Sequence, residues 1–394
     1  MAAQETAALM EPLLPPAGER RLEDLAVRLA SDSAALAAQL APPVRDAIGH
    51  LVRSMNCYYS NLIEGHNTRP RDIDRALHQD YAKDPERRTL QLEAVAHIHV
   101  QSVIDRGEDP QVSPTSVEYL TWVHREFCQW LPDELLWVEH PDTRQRIRVV
   151  PGALRQDTVA VGRLVPPSPD VLPLFLARVD EAYRAEHLSR VQQLVAIGAA
   201  HHRLLWIHPF LDGNGRVARL VAHAMLKRAG VGSSLWSVSR GLARRVADYR
   251  RLLEAADAPR RSDLDGRGTL SERALVDVCD FFLDVCVDQV AFMSALLDAR
   301  ELLRRMQLYT EEEIRAGRML EGSFPVLREA VLTGEVERAH ARDLTGYRER
   351  QGREVLSALL RAGVLVSQSD RSPVRIAFPV DVVERWFPKL YPGV

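Results

Sequence analysis

The segment "PPVRDAIGHLVRSMNCYYSNLIEG", residues 42 to 65, carries apolar side chains at Val44, Ile48, Leu51, Met55, Tyr58 and Leu62, in alternating steps of four and three. That period belongs to one face of an α-helix, so the segment predicts a helix with a single buried stripe. Pro42 and Pro43 suit its first turn, where the missing N–H has no partner to lose, and Gly65 suits its stop. The same period returns in "SVEYLTWVHREFCQWL", "PDVLPLFLARVDEAYRAEHLSRVQQLVAIGAAHHRLLWI", "VARLVAHAMLKRAG" and "ALVDVCDFFLDVCVDQVAFMSALLDARELLRRM". A chain patterned this way folds as stacked helices, and it shows no internal repeat of solenoid period.

Three stretches break the pattern. "TRQRIRVVPGALRQDTVAVGRL", from Thr143, places β-branched residues around Pro151 and Gly152, which predicts a short hairpin or extended flap closed by "VPPSP". "DAPRRSDLDGRGTLSE" is rich in Gly, Asp and Ser and reads as a surface loop between two helices. From about Phe324, three helical runs precede two strand candidates, "VLVSQSD" and "VRIAFP". That is the plan of a winged helix-turn-helix, with Gly346 at the turn and the third helix in the recognition position. Arg348, Arg350 and Arg353 cluster early on that helix, diluted by Glu349 and Glu354, and residues 321–394 hold eleven Lys/Arg against ten Asp/Glu. DNA contact and a protein-interaction or lid role both stay open here.

The 394 residues exceed one ordinary core, so two or three units are expected. A formal net charge of -3 gives no bulk attraction to nucleic acid or anionic membrane, so any such contact needs a local patch. Cys57, Cys128, Cys279 and Cys286 form no C-x-x-C pair and no ligand-spaced Cys/His set, which argues against a disulfide scaffold and a structural zinc and fits a reducing cytoplasm. The start, "MAAQETAALMEPLLPP", lacks a basic leader region and interrupts its apolar run with Glu11, and no stretch has the length of a membrane span.

The densest chemistry lies in "HPFLDGNGR", residues 208 to 216, between a helix ending near Ile207 and one beginning near Gly215 or Arg216. The start of the second helix offers unpaired backbone N–H groups and the positive end of its dipole where Gly213, Asn214 and Gly215 let the chain curl, which makes a cradle for phosphates. Arg216 and Arg219, three apart on one helix, can fork onto the outer phosphates of a nucleotide. Asp212 stands where a carboxylate can hold Mg²⁺. His208, at the loop entry, can take a proton from an attacking hydroxyl, and Phe210 anchors the loop to the core.

"HPFLDGNGRVAR" resembles the signature of Fic-domain proteins, H-x-F-x-[DE]-G-N-G-R-x-x-R, and matches it at every defined position. The preceding "GRLVPPSPDVLP" and the following "SVSRGLARR" and "DLDGRG" runs extend the likeness over most of residues 115 to 300. The resemblance implies a mainly α fold: an N-terminal helical region over 1–110 with an inhibitory helix, a helical Fic core with a β-hairpin flap over 111–305, and the winged-helix-like region over 306–394. It implies an adenylyltransferase that moves AMP from ATP to a Ser, Thr or Tyr hydroxyl of a protein, itself included, with release of pyrophosphate. In that reaction His208 would be the base, Asp212 the Mg²⁺ ligand, Gly213, Asn214 and Gly215 the seat of the α- and β-phosphates, and Arg216 and Arg219 the grip on the outer ones. The flap would pair with a target segment as an added strand. Many relatives carry Asn-Arg shortly before the position of Tyr249, whereas this chain has Arg245 and Val246, a departure near the nucleoside.

"SNLIEG" resembles the family's inhibitory motif, [ST]-x-x-x-E-[GN]. Ser60 and Glu64, four apart, share a helix face, and the resemblance implies that Glu64 would pair with Arg219 and repel a γ-phosphate. Two other readings stand beside restrained transfer: removal of AMP from modified protein, with Glu64 positioning water, and a nucleotide-sensing regulator that binds DNA or a partner. Self-association stays open. His201 and His202 with His208 have poor spacing for a metal, and His97 and His99 face different sides of a helix. Cys279 and Cys286 read as core, and Arg155 is left between nucleotide contact and solvent.

Overall fold

The computed structural model describes residues 6–139, 144–232 and 234–391; Thr143 and the first five residues lie outside them. The fold is mainly α, with sixteen α-helices and two small antiparallel sheets among the described residues. Two compact units divide the chain. One takes in residues up to Ser33, Asn56–Ser233 and Ser237–Gln289; the other takes in Ala34–Met55, Ser234–Trp236 and residues from Val290 on. The segment read first from its periodicity is the helix Pro42–Ile63. Val44, Ile48, Leu51, Met55 and Tyr58 are buried along it. It ends because Gly65 takes a φ of 90°, which lets His66 N–H reach Asn61 O at 2.9 Å and Gly65 N–H reach Leu62 O at 3.1 Å. That left-handed closure suits glycine alone at no cost and leaves Glu64 on the last turn.

At the centre of the first unit lies the helix Arg190–Ile207. It starts at a reciprocal cap, Ser189 Oγ accepting from Gln192 N–H and Gln192 Oε1 from Ser189 N–H. From Leu194 onward it is buried nearly all round, as a helix enclosed by others must be. The helices Leu172–Tyr183 and Asn214–Arg228 pack against it, and Asn214–Arg228 also meets Pro85–Arg106 and Val117–Cys128. The flap hairpin begins earlier than its β-branched run suggests: Trp137–Glu139 pairs with Arg146–Arg148, Trp137 opposite Arg148. A second tight turn joins Val161 to Leu164.

The second unit holds the helices Ala299–Arg315, Ser323–Thr333, Arg338–Leu344, Glu349–Arg361 and Val380–Trp386. Its sheet has Val374–Ile376 in the middle, between Glu335–Val336 and Leu365–Val366. The first of these strands and the last helix have too few residues to show a period in the sequence. Among the described residues no helix is long and apolar enough to cross a membrane.

Candidate active site

The loop from His208 to Gly213 joins the end of one buried helix to the start of the next. His208 closes the first in a left-handed conformation, φ 51° and ψ 62°, which a non-glycine residue holds only when its surroundings fix it. Arg155 supplies much of that fixing. Its side chain is 1% exposed and its guanidinium donates to the carbonyls of His208 at 2.8 Å and Asp157 at 3.0 Å, and also to Pro167 and Ile207. Its own N–H donates to Pro209 O at 2.9 Å. The residue left between nucleotide and solvent is therefore not solvent-facing; it fastens the flap segment to the loop.

Below the loop, Phe210 is fully buried and stacks on the His124 ring, centroids 4.0 Å apart. His124 Nδ1 accepts from Gly152 N–H at 2.9 Å, which ties the flap to the helix Val117–Cys128, and burial holds its pKa down to about 4. Asn214 brackets the turn, its amide donating to Phe210 O at 2.8 Å and its carbonyl accepting from Phe210 N–H at 2.9 Å. With the side chain so engaged, the groups open at the helix start are the backbone N–H groups, which have no intrahelical acceptor. Gly213 takes a φ of 80° to begin that helix.

His208 is neutral near pH 7. Burial draws its pKa down to about 4, and the Arg155 charge adds to this. Its Nδ1 donates to Leu205 O at 3.3 Å, so Nε2 is the lone-pair nitrogen. Asp212 is half-exposed, with one oxygen 3.5 Å from Arg216. Among the described residues no group of three or more His, Cys, Asp or Glu could hold a metal ion. Asp212 is one accessible carboxylate beside the helix start, a donor type that Mg²⁺ accepts while keeping most of its waters.

The helix start is covered from within the chain. A Cβ on Gly215 would collide with a carboxylate oxygen of Glu64, so Glu64 lies over the helix start. Arg219, 2% exposed along its side chain, donates to Glu64 Oε1 at 2.6 Å, to Ser60 Oγ at 2.9 Å and to Ser60 O at 3.1 Å. Burial works to raise the Glu64 pKa, but Arg219, by charge and hydrogen bond, helped by Arg216, holds it below the usual value. Arg216 does not share that partner with Arg219. It is buried against the fully buried carboxylate of Glu93 and lies 5.2 Å over the Phe127 ring. Glu93 also accepts from His66 Nδ1 at 2.8 Å, and that bond raises the His66 pKa.

The structure therefore brings together Ser60, Glu64, Gly215 and Arg219, with Asp212 beside Arg216, and it sets Arg216 on a partner the sequence did not disclose. Glu93, His66 and His124 went unread. The available signal for Glu93 was a carboxylate on the small-residue face "EAVAHI" of a helix; His66 directly follows the glycine stop. His201 bonds Tyr249 at 2.7 Å and His202 bonds Asp257 at 3.0 Å, each in a separate buried contact. Arg245 ion-pairs with Asp284 and stacks on Phe281. His97 is buried while His99 packs on Trp130, and all four cysteines are buried and free.

Residues 114–226 match the Fic/DOC family. Protein adenylyltransferase Fic of Drosophila erecta is 40% identical over 79 residues, which make up 20% of this chain and 16% of that protein. Its counterpart in Drosophila yakuba is 42% identical over 79 residues with the same shares, so the likeness spans about a sixth of these relatives' length. Among solved structures, a Fic family protein from Desulfovibrio desulfuricans G20 aligns over 92% of this chain and 98% of its own, at a TM-score of 0.54 and 17% identity. A Fic domain containing signaling protein from Bacteroides thetaiotaomicron VPI-5482 aligns over 68% and 96%, at a TM-score of 0.50 and 17% identity. At that identity the likeness is one of fold.

Proposed function

Because this chain is a Fic-domain protein, its Fic/DOC domain lying at residues 114–226, we propose that it is a protein adenylyltransferase that moves AMP from ATP to a Ser, Thr or Tyr hydroxyl, restrained by Glu64. The observation that carries this reading is the juxtaposition at the helix start: a backbone anion cradle with a guanidinium beside it, both held by one carboxylate of the same chain. A carboxylate in a phosphate's place is chemically a stand-in for that phosphate.

His208 Nε2 takes the hydroxyl proton as the oxygen forms its bond to the α-phosphorus and the bond to pyrophosphate breaks. The backbone from Gly213 to Gly215 seats the α- and β-phosphates, and Asn214 keeps that turn in shape rather than touching them. Arg219 takes the γ-phosphate once Glu64 leaves it. Arg216 reaches the phosphates only if it also parts from Glu93. Asp212 would hold Mg²⁺, which supplies charge neutralisation to the phosphates when bound. The target's own segment would add to the flap strand, fixing register. The C-terminal helices and three-stranded sheet we read as a winged helix-turn-helix.

The testing experiment is mass spectrometry for an AMP adduct on the chain and on lysate proteins, wild type beside Glu64→Gly. Adducts that increase in the variant support restrained transfer. Adducts present at the start and lost on incubation with the wild type would instead favour AMP removal, and nucleotide binding with no covalent product would favour a sensor.

A further inference from the structure

We infer that the face formed by the helix Glu349–Arg361 and the loop 367–373 binds double-stranded DNA. Charge concentrates there. Residues 348–373, which span the helix and the loop, hold five arginines and three acidic residues, a formal +2 within a chain of formal charge -3. The helix buries Gly352, Val355, Leu356 and Leu359, which leaves Arg350, Arg353, Glu354, Ser357 and Arg361 on the opposite, solvent side. Arg348 lies exposed just before its first turn. A helix of this width with arginines along its outer side matches the major groove in size and charge.

The loop beside it is built rather than slack. Ser367 Oγ bonds the Ser369 carbonyl at 2.8 Å and Ser372 O at 3.0 Å, and Ser369 Oγ meets Ser372 Oγ at 2.7 Å. Arg338, from the preceding helix Arg338–Leu344, donates to Ser372 O at 3.0 Å and Ser369 O at 3.1 Å, so one helix of the pair fixes the loop. Its tip presents Arg371 with Asp370 beside it, both exposed, so the loop offers one cation next to one carboxylate. An ordered loop with a cation at its tip, flanking a cationic helix, suits two adjacent surfaces of one duplex.

The balance of charge sets the strength. Glu349 already neutralises Arg353 and approaches Arg342 at 3.6 Å, and Glu335 holds Arg375 at 2.9 Å. Arg348, Arg350, Arg361 and Arg371 have no ion pair among the described residues, so about four phosphate contacts are available. Four contacts give a slope of log affinity on log salt of about −3.6 and a loss of about 10²-fold between 50 and 200 mM salt. Double-stranded DNA is favoured over an acidic protein because the unpaired cations are arginines spread along a helix and onto a loop, a spread that suits the regularly spaced phosphates of a duplex.

The test is fluorescence anisotropy of a labelled mixed-sequence duplex of about 30 base pairs titrated with the full chain across that salt range. The expected result is binding with the stated salt loss, reduced in Arg350→Ala/Arg371→Ala to a salt loss of only about tenfold, and tightened by Glu354→Gln. These positions are exposed, and the two sets of variants move affinity in opposite directions, so misfolding cannot mimic the pattern. No binding at the lowest salt, binding indifferent to salt, or equal competition by a polyglutamate peptide would overturn the inference, the last pointing to an acidic protein surface. The outcome does not depend on whether AMP is transferred.

Discussion

Replacing Glu64 by glycine removes a carboxylate that bonds Arg219 at 2.6 Å and covers the backbone at Gly215. Two effects follow, and they have opposite signs. In the nucleotide-free protein, Arg219 loses its charged partner but keeps Ser60 Oγ and Ser60 O. Because Glu64 is 32% exposed along its side chain, the stability cost belongs at the lower end for a buried pair, about 1–3 kcal/mol. With ATP present, the same guanidinium gains a phosphate in a charge-assisted contact of about 1.5–3 kcal/mol, which corresponds to roughly 10–150-fold more productive complex. Self-labelling from ATP should rise by that factor while the unfolding temperature without nucleotide falls, and ATP should recover more of that temperature in the variant than in wild type. Glu64→Gln, which keeps a hydrogen-bond acceptor and loses the charge, should fall between. Labelling unchanged in a variant that unfolds cooperatively would refute the reasoning.

His208→Ala should lower labelling by about 10²–10⁴-fold with little change in ATP affinity, measured by rate and by equilibrium binding. His208 has its pKa drawn down to about 4, so the rate should hold steady between about pH 6 and 8 as far as this base is concerned and fall only as pH approaches that value. Arg155→Ala strips several backbone carbonyls of a charged donor and should cost at least about 3 kcal/mol in denaturant unfolding; Arg155→Lys, with no fork to span them, should recover little. The His66 contact with Glu93 raises the His66 pKa, so its stabilisation is complete below the unfolded value of about 6.5 and is lost as pH rises through the higher folded value. The stability difference between wild type and His66→Ala should therefore shrink on going from about pH 6 to pH 9.

Periodicity made the helices legible, since a stripe from Val44 to Leu62 permits one backbone geometry, and the crowding of His208, Asp212, Gly213 and Arg219 marked the site. Local rules also reach Glu64, because Ser60 lies one helical turn before it and Gly65 closes that turn. What local rules miss is long-range pairing. Nothing near Arg216 announces that Glu93, on another helix, neutralises it, and nothing near Arg155 announces that its guanidinium meets four carbonyls on both sides of the loop. An arginine in sequence is a surface cation by default, and only packing turns it into a buried brace. The flap strands begin at Trp137 because the aromatic ring and Val138 find cross-strand partners in Arg148 and Ile147, a pairing that spacing does not reveal.

The most direct test of the account follows the phosphates themselves, by incubating Glu64→Gly with ATP labelled at the α-phosphorus and, separately, at the γ-phosphorus. Covalent α-label on protein, no γ-label, and loss of the α-label in Glu64→Gly/His208→Ala is the result the account predicts. Retained γ-label, or α-label that survives removal of the imidazole, would contradict it.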